Sequence, residues 1–133
     1  MRLILSGTVL LVLAVMVAAR MAPHDPDRWH RPVTADSDQD MAGGAIRVIP
    51  AGPDALKRAD AVMPALPRTT RLAGSVDEML ITYVTRSRVF GFPDYTTLQQ
   101  TEGTLRAYAR LRFGASDLGV NRRRLEQVLA TFQ

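Results

Sequence analysis

Arg-x-Arg, then a glycine, then an aspartate, occurs twice in this chain: Arg86, Arg88, Gly91, Asp94 and Arg110, Arg112, Gly114, Asp117. Side chains in a strand repeat every two residues, so each arginine pair shares one face. Guanidinium groups gathered this way bind carboxylates or phosphates bidentately. The two aspartates can instead brace tight turns as structural ion pairs. A third cluster, Arg122, Arg123 and Arg124, falls in the first turn of a C-terminal helix. There the macrodipole is positive, and each cation costs about 0.3–1 kcal/mol. A local rule broken without evident gain points to function, and a helix N-terminus behind a glycine-rich loop suits an anion. The expectation is an anion site built from Arg86, Arg88, Arg110, Arg112, Asn121, Arg122 and Arg123. The competing expectation is that Asp94, Asp117 and solvent compensate these charges and the arginine faces are soluble surface.

Composition narrows the chemistry further. The 133 residues carry a net charge of +4, from sixteen arginines and one lysine, Lys57. A genome rich in G and C produces the same arginine skew, so placement rather than number carries the inference. From Leu80 to Arg124, eight arginines stand against three acids (Asp94, Glu102, Asp117), a local net of +5. The chain has no Cys, which excludes disulfides, thiolate metal sites and Cys nucleophiles. His24 and His30 have no nucleophile or metal-ligand partner at useful spacing, so neither a metal nor a cofactor is expected. Gly114 to Gly119 lacks the spacing of a nucleophile elbow or a P-loop. Asp36 to Asp40 resembles the opening of a calcium loop, but Met41 and Arg47 stand where Gly and a bidentate Glu are needed. Nucleic acid is the weakest partner, because aromatics are only 6% and no binding motif is present.

These residues need elements to position them. Thr104 to Phe113 alternates cleanly, Leu105, Ala107, Ala109, Leu111 and Phe113 against Arg106, Tyr108, Arg110 and Arg112, and predicts a strand. Met79 to Val89 is β-rich, Tyr95 to Gln100 is a weaker strand, and Glu102-Gly103 is a hairpin signal. Ala45 to Ile49 and Leu72-Ala73 are short strand candidates. Gly52-Pro53 opens a helix whose apolar stripe is Leu56, Ala59 and Met63, stopped by Pro64. The last helix takes Asn121 as N-cap, with Leu125, Val128, Leu129 and Phe132 as its docking stripe. The fold class is α+β: a small antiparallel β-meander with helices on one face, preceded by an N-terminal transmembrane helix.

Three segments follow: 1–21 as anchor or signal, 22–44 as a tether rich in Pro, Asp and Gly, and 45–133 as one α+β domain. Residues 3–19 are apolar apart from Ser6 and Thr8. As a helix they rise about 26 Å, slightly less than a hydrocarbon core of about 30 Å. Val17 and Ala19 also offer the small residues of a signal-peptide cleavage site. The retained anchor is preferred: a single pass of the inner membrane with the domain on the periplasmic side. The positive charges after the segment argue for the opposite orientation. Trp29 is read as an aromatic closing a core edge.

Thr85-Arg86-Ser87-Arg88-Val89-Phe90-Gly91-Phe92-Pro93-Asp94 and Arg110-Leu111-Arg112-Phe113-Gly114-Ala115-Ser116-Asp117-Leu118-Gly119-Val120-Asn121-Arg122 carry a resemblance. They are similar to motifs of a bacterial and plastid domain of unknown function, number fourteen-ninety-nine in the DUF series. Trp29-His30 behind an N-terminal anchor resembles its short proteobacterial members, and the likeness covers residues 29–133. The resemblance implies no activity, cofactor or catalytic residue to carry over; it implies frequent anchoring or export. Many relatives carry a second acid before the aspartate of the first motif, so paired carboxylates are not implied there. The reading is a membrane-tethered accessory domain that binds a lipid head group or an acidic protein segment. Its rivals are a structural protein-interaction module of the cell envelope, and an enzyme using Asp94 and Asp117 with the arginine cluster.

Overall fold

The computed structural model describes residues 1–132. The alternation of apolar and polar residues from position 104 onward becomes strand β6 (Thr104–Leu111), with Leu105, Ala107 and Ala109 fully buried on one face. Its partner β5 (Pro93–Thr101) joins it through the Glu102-Gly103 turn, where Gly103 takes φ +70°. β4 (Leu80–Arg86) and the edge strand β3 (Thr69–Ser75) complete a four-stranded meander. A hairpin of β1 (Gln39–Met41) and β2 (Gly44–Pro50) adds to the free edge of β6. The six antiparallel strands run in the order β1-β2-β6-β5-β4-β3. Gly44 is required where the hairpin meets β6, because a Cβ there would lie 2.3 Å from the carbonyl oxygen of Ala109.

The expected helices cover one face of this sheet. α3 (Ala55–Val62) links β2 to β3, and α4 (Val120–Leu129) follows β6. Leu56, Ala59, Met63, Leu125 and Val128 pack on Ile81, Tyr83, Leu98, Leu105, Ala107 and Ala109 in one cluster. Each large apolar side chain buried there contributes about 1.5–3 kcal/mol. Asp54 precedes α3 but makes no side-chain cap. Gln100 does that work from β5: its Oε1 accepts from the Leu56 N–H (2.8 Å) and its Nε2 donates to the Gly52 carbonyl (2.7 Å). One amide thereby pins the helix start to the sheet and satisfies an orphan N–H.

The opposite face differs from the sequence reading. Residues 22–44 look like a tether because Pro, Asp and Gly disfavour regular structure, yet residues 23–35 lie on the second sheet face and 39–41 form β1. Asp25 caps a single turn, α2 (Pro26–Trp29), by accepting from the Asp27 N–H at 3.0 Å. Val33 is buried, and its N–H donates to Gln99 at 2.7 Å. Trp29 stacks on Tyr95 with ring centroids 4.0 Å apart. The physical reason is the sheet face itself. It presents arginine and glutamine side chains, which satisfy backbone groups of Pro23, Trp29, Val33 and Ala35. Asp38 and Asp40 likewise have partners: Asp38 accepts from the Val48 N–H (2.8 Å), and Asp40 pairs with Arg47 (2.8 Å).

α1 (Arg2–Met21) stands apart from this core. Leu3–Met21 has a mean hydropathy of 2.3 and none of it is buried, so it is long and apolar enough to cross a membrane. A signal sequence near an N-terminus has the same properties.

Candidate functional site

β4 ends, β5 begins and β6 ends at one end of the sheet, because Asp94 pairs with Thr85 on one side and Leu111 on the other. The loops 87–92 and 112–119 therefore leave from the same end, and Phe92 meets Phe113 there at 6.1 Å. α1 joins the domain at this end too. Arg86, the last residue of β4, donates to the Arg20 carbonyl at 2.7 Å and to the Gly91 carbonyl at 2.9 Å. It places a cation on an orphan carbonyl of the last turn of α1, where the dipole is negative.

Between α1 and the strand ends lies a groove of about 440 Å³. Arg20, Arg68, Arg86 and Arg88 line it together with Thr69, Thr70 and Ser87, and no described lining residue is acidic. Arg68 is held by two reciprocal bonds with Arg86: the Arg86 N–H donates to the Arg68 carbonyl, and Arg68 Nε donates to the Arg86 carbonyl, both at 3.0 Å. Arg68 adopts φ +56°, a left-handed conformation that costs a non-glycine residue about 1 kcal/mol or more. Gly91 sits at φ +69°, and a Cβ on it would lie 3.1 Å from Nε of Arg20. Among the described residues, no hydrogen bond or ion pair engages the guanidinium groups of Arg20 or Arg88. Four like charges around one concavity repel one another, and a phosphate or carboxylate inside would relieve that repulsion.

Arg110 and Arg112 have a different role. Arg110 donates to the Trp29 carbonyl (2.6 Å) and to Thr97 (2.9 Å). Arg112 donates to the Pro23 carbonyl (2.7 Å) and to the Tyr95 hydroxyl (3.0 Å). Both bind the N-terminal segment to the sheet, and burial pushes Arg110 below its ordinary pKa. His24 lies between them and the groove, its Nε2 3.1 Å from Arg86 and its Nδ1 2.8 Å from the Tyr95 hydroxyl. Arg86 can only donate, so Nε2 carries the lone pair and Nδ1 the proton. Burial, then the charges of Arg86 and Arg112, hold the His24 pKa below its usual value.

The α4 end is organised by carboxylates. Asn121 is not the N-cap; it is the second residue of α4 and fully buried. Asp117 closes the helix instead, accepting from the N–H groups of Gly119 and Asn121, both at 2.9 Å. The sequence pattern pointed to Asn121 because the true cap lies before a glycine in the left-handed conformation (φ +78°). The Asn121 amide bridges onward, donating to Asp94 at 3.4 Å and accepting from Arg124. Asp94 pairs with Arg124 of α4 at 3.6 Å rather than with Arg86 or Arg88. Burial raises its pKa to about 6; Arg124 opposes this and Asp117 adds to it. Asp94 and Asp117 thus flank one buried asparagine, each holding α4 in place. Arg122 lies 3.8 Å from Asp40 and 3.9 Å from Glu126, and Arg123 donates to the Leu118 carbonyl at 3.1 Å.

Of the seven residues expected to bind an anion, the groove brings together Arg86 and Arg88. Arg110, Arg112, Asn121, Arg122 and Arg123 lie elsewhere. Arg20 and Arg68 join the groove unforeseen. In sequence Arg20 flanks an apolar run and Arg68 stands between Pro67 and Thr69; no local spacing places either beside β4.

Residues 16–132 match the model of a family described as "Protein of unknown function (DUF1499)". The chain belongs to this family. The resemblance carried by residues 85–94 and 110–122 is therefore confirmed, and the family match extends it back into α1. Those two segments form the loops that meet beside the groove. Among curated proteins, none matches the chain significantly.

Proposed function

We propose that this family member is a membrane-tethered accessory domain that holds a phosphate-bearing anion in the groove of Arg20, Arg68, Arg86 and Arg88. The observation that carries this reading is four arginines lining one concavity without an acid, at the foot of an apolar helix. A membrane-spanning α1 would set Arg20 at the headgroup level, within reach of lipid phosphates. On this reading α1 is retained as a single pass of the inner membrane and the domain lies on the periplasmic side. An alkaline phosphatase fused after residue 133 would be active on that side and inactive on the other.

Thermal unfolding of the full chain in neutral detergent tests the anion site. The additions are inorganic phosphate, polyphosphate and a short-chain phosphatidic acid at matched ionic strength. A ligand at ~100 times its dissociation constant adds about 2.7 kcal/mol of stability. A shift with the lipid alone assigns a head group, and a shift with inorganic phosphate as well assigns a free anion. Either must vanish in Arg68→Ala/Arg88→Ala. No shift beyond that of plain salt would leave a protein-interaction module as the better reading, one that needs no anion.

A further inference from the structure

We propose that the domain does not swing on its anchor but sits on the bilayer, with the tips of loops 87–92 and 112–119 buried in the lipid interface. The inference rests on the reading of α1 as a retained membrane span. Three independent observations carry it.

The first is the lack of slack. α1 ends at Met21, and Pro23 and His24 are already bonded to Arg112 and Tyr95 of the sheet. Arg86 also grips the carbonyl of Arg20 within the helix itself. A twenty-residue helix rises about 30 Å, the thickness of a hydrocarbon core. A span of that length with no free linker brings the attached end of the sheet to the headgroup layer.

The second is what that end exposes. Val89 is 77% and Leu118 84% exposed, and Phe90 and Phe113 are exposed beside them. Phe90, Phe92 and Phe113 form a continuous aromatic row, with centroids 5.5 and 6.1 Å apart. Leu118 is held outward by its surroundings. It adopts φ +53°, its N–H donates to Ser116 at 3.2 Å, and its carbonyl accepts from Arg123 at 3.1 Å. Aromatic and aliphatic tips around an anchor are the composition that partitions into a membrane interface.

The third is charge. Arg20, Arg88 and Arg123 border these tips, matching an anionic headgroup layer. A bilayer therefore fits this end better than an apolar protein groove, which offers those cations no counter-charge.

The absence of Cys makes the test direct. Single variants V89C, L118C, L11C and E102C of the full chain are spin-labelled and reconstituted in phosphatidylethanolamine–phosphatidylglycerol vesicles. Collisions with oxygen, which partitions into lipid, are compared with those of a water-soluble nickel chelate. Glu102 turns the chain at the far end of the sheet and Leu11 lies mid-helix, so they fix the water and lipid limits. The expected result is oxygen-dominated relaxation at positions 11, 89 and 118 and nickel-dominated relaxation at 102. Labels at 89 and 118 as open to nickel as the label at 102 would overturn the proposal while leaving the anchor intact. Low access to both reagents at 89 and 118 would overturn it in favour of a protein partner. Nickel access at position 11 would refute the anchor and this inference together.

Discussion

Arg47 and Arg88 show the two situations an arginine meets in this fold. Arg47 reaches Asp40 at 2.8 Å, Glu126 at 3.3 Å and Asp38 at 3.9 Å, and these acids raise its pKa against the effect of burial. Arg88 shares a groove with three other arginines and no described acid. The first arrangement is explained within the chain: one cation ties α4, β2 and the segment before β1 together. The second gains nothing from the fold. An arginine count cannot distinguish the two; only the acids within reach can.

The largest expected effect separates them by stability. Arg124→Ala should cost about 3 kcal/mol in urea unfolding at pH 7, because it removes the counter-ion of the buried Asp94 carboxylate and the Arg124 bond to Asn121. Arg88→Ala should stay within about 0.5 kcal/mol, with any change toward higher stability. Equal losses at both positions would erase the comparison.

Next in size is a pH dependence of unusual sign. Asp94 titrates at about 6 in the fold against an ordinary 3.8. Between those values the native state binds more protons than the unfolded chain, so stability from this group is present at low pH and lost as pH rises from about 4 to 6. The effect is of order 2–3 kcal/mol, and Asp94→Asn should flatten it in unfolding curves taken across that window. His24 acts in the opposite direction. Its lowered pKa gives stability above the ordinary value of 6.5 that is lost as pH falls below it, and His24→Gln should remove that part of the curve.

Smaller effects concern the helix start. Asp117→Ala should cost about 1 kcal/mol, measured by thermal unfolding, since it frees the N–H groups of Gly119 and Asn121 at the start of α4. Arg123→Glu should change stability by only a few tenths of a kcal/mol. A favourable dipole contact replaces one exposed hydrogen bond, and any response to phosphate should survive. Loss of that response would move the site from the groove to α4.

Local pattern was enough for the elements that bury a face. The alternation of β6 and the stripe of Leu125, Val128 and Leu129 on α4 were both legible, because burial imposes a period of two or of 3.6. β1 and the cover over the second sheet face were not. β1 is exposed, and the cover is held by scattered contacts of Trp29, His30 and Val33 and by backbone groups, which impose no period on the side chains. Arg86 and Arg88 were legible as neighbours from their spacing, but not through a shared strand, since β4 ends at Arg86 and Arg88 stands in the turn that follows. Arg20 and Arg68 were not, since antiparallel pairing of β3 with β4 and the grip of Arg86 on α1 bring them in from 66 and 18 positions away. Asp117 is legible as a turn acid, but its role as a cap depends on the left-handed Gly119.

The central claim is best tested by observing the arginines themselves. The full chain in detergent, carrying ¹⁵N-arginine, is titrated with a short-chain phosphatidic acid while its Nε–Hε resonances are followed. The account predicts saturable shifts at Arg20, Arg68 and Arg88, with Arg47 and Arg122 unmoved. Shifts concentrated at Arg122 and Arg123, or equal small shifts at every exposed arginine, would contradict it.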